Sequence, residues 1–133
     1  MSGKTKVFIT GLGVISPVGN TVDEMWGNIR NGVSGIGRTT RFDPSRVDAK
    51  VSGEIKNFDV SKYVDSKEAR RMALFTQYGL AAAKQAWQDS GLAEGGADPE
   101  RVAVMIGNGI GGKEVDEEGY HTLFDRGPGR LSP

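Results

Sequence analysis

A chain of 133 residues with 17 basic and 17 acidic side chains carries no net formal charge, which excludes the basic footprint that nucleic-acid binding requires. With no cysteine there is no disulfide, no thiolate nucleophile and no cysteine-based metal site. Apolar residues are 37% of a chain that holds 20 glycines, so one modest core is the ceiling and a flexible backbone must be ordered on little apolar surface.

Met1 to Lys6 are small, polar and basic, and lead into Val7-Phe8-Ile9, a run too short for a signal-peptide core or a membrane span. A cytoplasmic protein without membrane attachment is expected. The same run, closed by Gly11-Leu12-Gly13, predicts a short strand of the parallel kind, buried on both faces. Val14-Ile15-Ser16-Pro17 then passes through a proline turn.

Thr21-Val22-Asp23-Glu24 matches a capping box, in which the threonine hydroxyl accepts from a free amide and the glutamate reaches back. Val22, Met25, Trp26 and Ile29 follow at helical spacing, and Asn31-Gly32 supplies a left-handed stop. From Val33 to Tyr63 the pattern loosens into Gly, Ser, Asp and Pro punctuation, with Val51 to Ile55 as the single strand fragment.

A second helix is predicted from Asp65 or Ser66 to about Ser90, with Gly91 past its end. Between Met72 and Trp87 its apolar and small residues run nearly all the way round, so it needs cover on most sides. After an acidic, glycine-rich connection from Ala93 to Pro99, Val102-Ala103-Val104-Met105-Ile106 predicts another doubly buried strand. Gly107 to Gly112 and a weakly helical stretch from Lys113 to Arg126 follow. The order strand, helix, long helix, strand, helix indicates an α/β layered architecture. Two strands are too few for a covered parallel sheet, so the sequence reads as unfinished.

Gly107-Asn108-Gly109-Ile110-Gly111-Gly112 satisfies G-x-G-x-x-G, and Gly11 to Ser16 nearly does. Such strings either set backbone amides against a pyrophosphate or allow close backbone packing around a tight turn. No second strand ending in a ribose-binding acid follows Gly112, which favours packing. Lys67, Arg70 and Arg71 stand at the start of the long helix, where the helix dipole disfavours cations. They form either a patch for an acidic partner or an ordinary solvated face. His121, the single histidine, lies among Asp116, Glu117, Glu118 and Asp125, and a solvated helix face accounts for it better than a metal site. No metal or cofactor is expected, and no nucleophile and base pair is recognisable.

Taken together, Val7 to Asn20 resembles the opening of the β-ketoacyl-acyl carrier protein synthases, in particular the elongating synthase II type. Further blocks agree in order and spacing: Gly32-Val33-Ser34-Gly35-Ile36, Arg41-Phe42-Asp43, Lys67 to Met72, Phe75-Thr76-Gln77-Tyr78, Asp89-Ser90-Gly91-Leu92, Ile106 to Gly112, and Gly127-Pro128 with Ser132-Pro133. The resemblance covers essentially the whole chain and assigns the glycine strings to packing rather than to a nucleotide.

That resemblance implies a thiolase-like fold of two related α/β halves, with helices layered on a mixed, mostly parallel sheet, usually paired as a homodimer. Residues 1–133 correspond to a partial first half. It further implies a decarboxylating condensation of an acyl thioester with malonyl-acyl carrier protein. There, a cysteine at a helix start holds the acyl group and two histidines assist. Those groups are expected beyond Pro133, which leaves no catalytic residue in this chain. The resemblance makes Lys67, Arg70, Arg71 and Arg130 docking residues for the acidic acyl carrier protein, although Pro128-Gly129-Arg130 stands where a Pro-basic-basic run is expected. It places Ile110 at the acyl-chain pocket near the dimer interface, with simple core packing as the alternative. The remainder of a synthase chain is a further expected partner. A non-catalytic carrier-binding or split-subunit module, and a polyketide ketosynthase fragment, are the rival readings.

Overall fold

The computed structural model describes residues 4–95 and 97–131. Gly96 of the acidic connection and the Ser132-Pro133 pair lie outside the described residues. The capping box forms: Thr21 Oγ1 accepts the Glu24 amide at 3.2 Å, while Glu24 Oε2 accepts the Asn20 amide at 2.7 Å, one residue ahead of the cap. Helix α1 (Val22–Arg30) ends at Asn31, and Gly32 takes φ +67° as the left-handed stop requires. Asn28 Nδ2 ties it to the Val18 carbonyl at 2.6 Å.

The loose region holds a hairpin that local patterning only half reveals. Strand β1 (Ile36–Arg38) pairs antiparallel with β2 (Val51–Gly53) in the register Ile36 to Gly53 and Arg38 to Val51. Glu54 locks it, its carboxylate accepting the Thr40 amide at 2.9 Å, the Thr40 hydroxyl at 2.6 Å, the Arg41 amide at 3.2 Å and the Ser52 hydroxyl at 3.1 Å. These donors, led by the Thr40 hydroxyl and then its amide, pull the Glu54 pKa down from 4.5 to about 2. A carboxylate whose folded pKa is depressed contributes stability above its unfolded pKa and loses it as pH falls through the folded value. The hairpin is therefore expected to loosen as pH drops from 4.5 towards 2. The Thr40 amide resonance should report a midpoint near the lower value, and Glu54→Gln should abolish the transition. A midpoint at an ordinary carboxylate pKa would contradict the assignment.

The long helix predicted from residue 65 or 66 is two helices, α2 (Ser66–Ala69) and α3 (Leu74–Asp89). Ala73 has ψ 153°, which takes the backbone out of helix. The stop after α3 is as predicted, with Gly91 at φ +72°. Helix α4 (Lys113–Arg126) occupies the stretch predicted to be weakly helical.

The backbone of Gly11 to Val14 lies directly on α3. A Cβ at Gly11 would come within 2.2 Å of the Ala86 carbonyl oxygen, and one at Gly13 within 2.0 Å of that of Ala82. The approach is pinned by the Leu12 amide donating to Asp89 Oδ2 at 2.8 Å and the Val14 amide donating to Gln85 Oε1 at 3.0 Å. Gln85 Nε2 in turn donates to the Asn20 carbonyl at 2.7 Å and the Tyr63 hydroxyl at 2.8 Å. One glutamine on α3 thus ties together the segment leading into α1 and the turn at Tyr63.

The expected strands at Val7-Phe8-Ile9 and Val102 to Ile106 do not pair among the described residues, where the single sheet is the antiparallel β1–β2 hairpin. A buried parallel strand needs a hydrogen-bonded neighbour about 4.8 Å away on each side and a helix layer on its faces. Here Val7 and Met105 are 89% and 92% exposed instead. Helix α3 likewise buries Ala81 but leaves Phe75 and Trp87 part-exposed. Buried hydrophobic residues are confined to Val64, Ala69 and Ala81 among the described residues. The accessible surface is 11103 Å², against about 6,800 Å² for a compact monomer of the same mass.

Candidate functional site

The break between α2 and α3 is built by side chains. Asp65 caps α2, accepting the Lys67 amide at 2.8 Å and the Glu68 amide at 3.1 Å. Gln77 Nε2 reaches back to the carbonyls of Ala69 and Met72, both at 3.0 Å, satisfying groups that the kink frees. Ala73 has no side chain with which to cap α3, and Glu114 of α4 supplies the missing acceptor, taking the Leu74 amide at 3.1 Å across 40 positions of sequence. Gly112, at φ +82°, starts α4, and Gly111 lies so close to the Phe75 ring that a Cβ there would stand 2.6 Å from it. The start of α4 is thereby fixed to the start of α3.

These constraints open a cleft of 980 Å³ between the α2–α3 junction and α4, lined by Arg70, Arg71, Glu114, Glu118, Arg126 and Arg130 among others. Arg70 Nε donates to the Ser66 carbonyl at 3.0 Å, which fixes its stem. Gly127, at φ +83°, ends α4, and a 3-10 turn over Pro128–Arg130 brings Arg130 back to the same cleft. Lys113 and Asp116 form the single ion pair among the described residues, so none of the four arginines is neutralised by a carboxylate within bridging distance. Four cations against two glutamates leave the cleft positive.

Three of the residues singled out from sequence, Arg70, Arg71 and Arg130, therefore converge, whereas Lys67 on α2 is outside the cleft lining. Arg126 was not anticipated. Its spacing from Glu114 and Glu118 along one face of α4 was the available signal, but α4 is polar nearly all round and no apolar stripe marks which face turns inward. Ile110 is 81% exposed and does not line the cleft, so simple core packing does not describe it. His121 is exposed beside Tyr120 and Phe124 on another side of α4, and among the described residues no three His, Asp or Glu side chains are grouped as metal ligands. Of the glycine strings, Gly11 and Gly13 pack on α3 and Gly111 on Phe75, while Gly107 and Gly109 face open space.

The family model for the beta-ketoacyl synthase N-terminal domain matches residues 4–133. The chain belongs to the β-ketoacyl synthase family. This synthase chain is 44% identical over 133 residues to a 3-oxoacyl-[acyl-carrier-protein] synthase 2 of Staphylococcus aureus (strain N315), covering 100% of itself and 32% of that protein. It is likewise 44% identical over 130 residues to the synthase 2 of Vibrio cholerae, covering 98% of itself and 31% of the relative. It corresponds to the amino-terminal part of a 3-oxoacyl-acyl carrier protein synthase and spans about a third of the length of these curated relatives. Among solved structures it is similar to AntDE:AntF, a type II polyketide acyl carrier protein in complex with its ketosynthase bound to the hexaketide. The TM-score is 0.72 at 26% identity, over 94% of this chain and 32% of that one. The ishigamide ketosynthase/chain length factor matches with a TM-score of 0.59 and 35% identity, over 65% and 21% of the two chains. The ketosynthase fold follows from these likenesses. No helix among the described residues is long and apolar enough to cross a membrane.

Proposed function

We propose that this chain forms the carrier-docking part of a synthase that condenses an acyl thioester with malonyl-acyl carrier protein, with loss of carbon dioxide, in fatty acid elongation. The observation that carries the reading is the convergence of Arg70, Arg71 and Arg130 on one positive cleft in a β-ketoacyl synthase domain. An acidic carrier protein is drawn to such a cleft by complementary potential, and the guanidinium forks suit its carboxylates. Lys67, one turn outside, adds long-range steering. The acyl group is held on sulfur supplied by a part of the synthase outside these 133 residues, because no cysteine is present here. In the assembled enzyme Val7 to Ile9 and Val102 to Ile106 enter the parallel sheet of the first half, and Ile110 faces the acyl pocket near the interface of a homodimer. The identity of 44% to the 3-oxoacyl-[acyl-carrier-protein] synthases 2, against 26% and 35% to the two ketosynthases among the solved structures, supports fatty acid elongation over a polyketide route.

Titration of fluorescently labelled acyl carrier protein at low salt tests the docking. Arg70→Glu/Arg71→Glu is expected to weaken binding by roughly tenfold or more, with most of the difference screened away at 1 M salt. Equal affinity of the variant and the wild type would remove the docking role.

A further inference from the structure

We infer that Arg126 is a fourth recognition residue of the docking cleft, an assignment that rests on the carrier-docking reading above. The residue closes the last turn of α4, where a cation is favoured by the helix dipole, and it is exposed. It lines the same cleft as Arg70, Arg71 and Arg130, and no carboxylate bridges it among the described residues. Gly127, directly after it, turns the chain so that Arg126 and Arg130 flank the cleft from the two sides of a single bend. Gly129 leaves the middle of that bend without a side chain, so the charge offered here comes from Arg126 and Arg130 alone.

The face of α4 that carries Arg126 into the cleft also carries Glu114 and Glu118. Glu114 is engaged with the Leu74 amide and is held at the α3 end. Arg126 stands three turns further along α4, so that helix offers the cleft acid at its start and base at its end. Within the cleft α4 therefore presents its base at the Arg126 end and its acids beside the α2–α3 junction, where Arg70 and Arg71 outnumber the single Glu114. Arg126 accordingly extends the attraction for an acidic partner from the α2–α3 junction to the far end of α4.

Binding of labelled acyl carrier protein to the full chain tests this with Arg126→Glu, Arg126→Gln and Arg126→Lys. Arg30→Glu, in the last turn of α1 and away from the cleft, bears the same dipole penalty and serves as the matched control. Circular dichroism establishes that each variant retains its helix content. Arg126→Glu is expected to weaken binding about fivefold and Arg126→Gln about twofold, with a shallower salt dependence in both. Arg126→Lys should stay near wild type and Arg30→Glu should be unaffected. Wild-type affinity in Arg126→Glu and Arg126→Gln, or an equal loss in Arg30→Glu, would overturn the assignment. If Arg70→Glu/Arg71→Glu weakens binding while the Arg126 variants do not, this inference alone falls. If neither set does, the docking reading falls with it.

Discussion

Gly13→Ala is expected to lift the segment from Gly11 to Val14 off α3. The added Cβ would sit 2.0 Å from the Ala82 carbonyl oxygen and 2.7 Å from the Ala86 nitrogen, both backbone atoms of a helix that cannot step aside. Separation also loses the bonds from the Leu12 amide to Asp89 and the Val14 amide to Gln85. Overpacking and the loss of one charge-assisted and one neutral hydrogen bond together amount to about 3 kcal/mol. Exchange of the Leu12 and Val14 amides with solvent should accelerate by about two orders of magnitude. Gly79→Ala, with nothing within 4 Å of the new Cβ inside α3, should instead stabilise the helix by about 0.5–1 kcal/mol. Unchanged protection of Leu12 and Val14 in Gly13→Ala would show that the close approach is not what holds this segment.

The second large effect is a complete one. Pure 133-residue chain incubated with acyl- and malonyl-acyl carrier protein is expected to form no β-keto product and no covalent acyl-enzyme, because a condensing enzyme needs a thiolate and this sequence has no sulfur nucleophile. The single histidine lies on an exposed face of α4, outside the lining of the cleft, and cannot supply the two imidazoles that the family's decarboxylation implies. Intact-mass spectrometry would detect acylation of the chain. A mass shift followed by product release would refute the placement of the chemistry outside these residues.

The parts of the fold that sequence made legible are those with local causes. Thr21 and Glu24 cap α1, Gly32 and Gly91 adopt the left-handed conformation that marks helix ends, and α4 spans the expected residues. The break at Ala73 has no local cause. Neither glycine nor proline lies between Arg70 and Ala73, and the backbone groups that the break frees are satisfied by Gln77 from within α3 and by Glu114 from α4. The hairpin was legible in one strand alone, since Ile36–Arg38 is too short and too glycine-rich to show alternation, and its lock, Glu54, acts across the turn. Val7 to Ile9 and Val102 to Ile106 have strand composition, but pairing is a property of two segments, and composition describes one at a time. At the site, Arg70 and Arg71 stood out as cations at the start of an expected long helix, although the break places Arg70 at the end of α2 and Arg71 in the link to α3. Arg126 did not, because it obeys the dipole and looks like an ordinary last-turn cation.

A polypeptide that leaves some 11103 Å² wetted has already hydrated much of the apolar surface that melting would otherwise uncover. Its heat-capacity increment on unfolding should therefore fall well below the ~12–15 cal/mol/K per residue usual for globular domains, and its denaturant m-value should be correspondingly small. Loss of structure in this chain will be spread over a wide span of temperature, with little calorimetric signal to mark its passing.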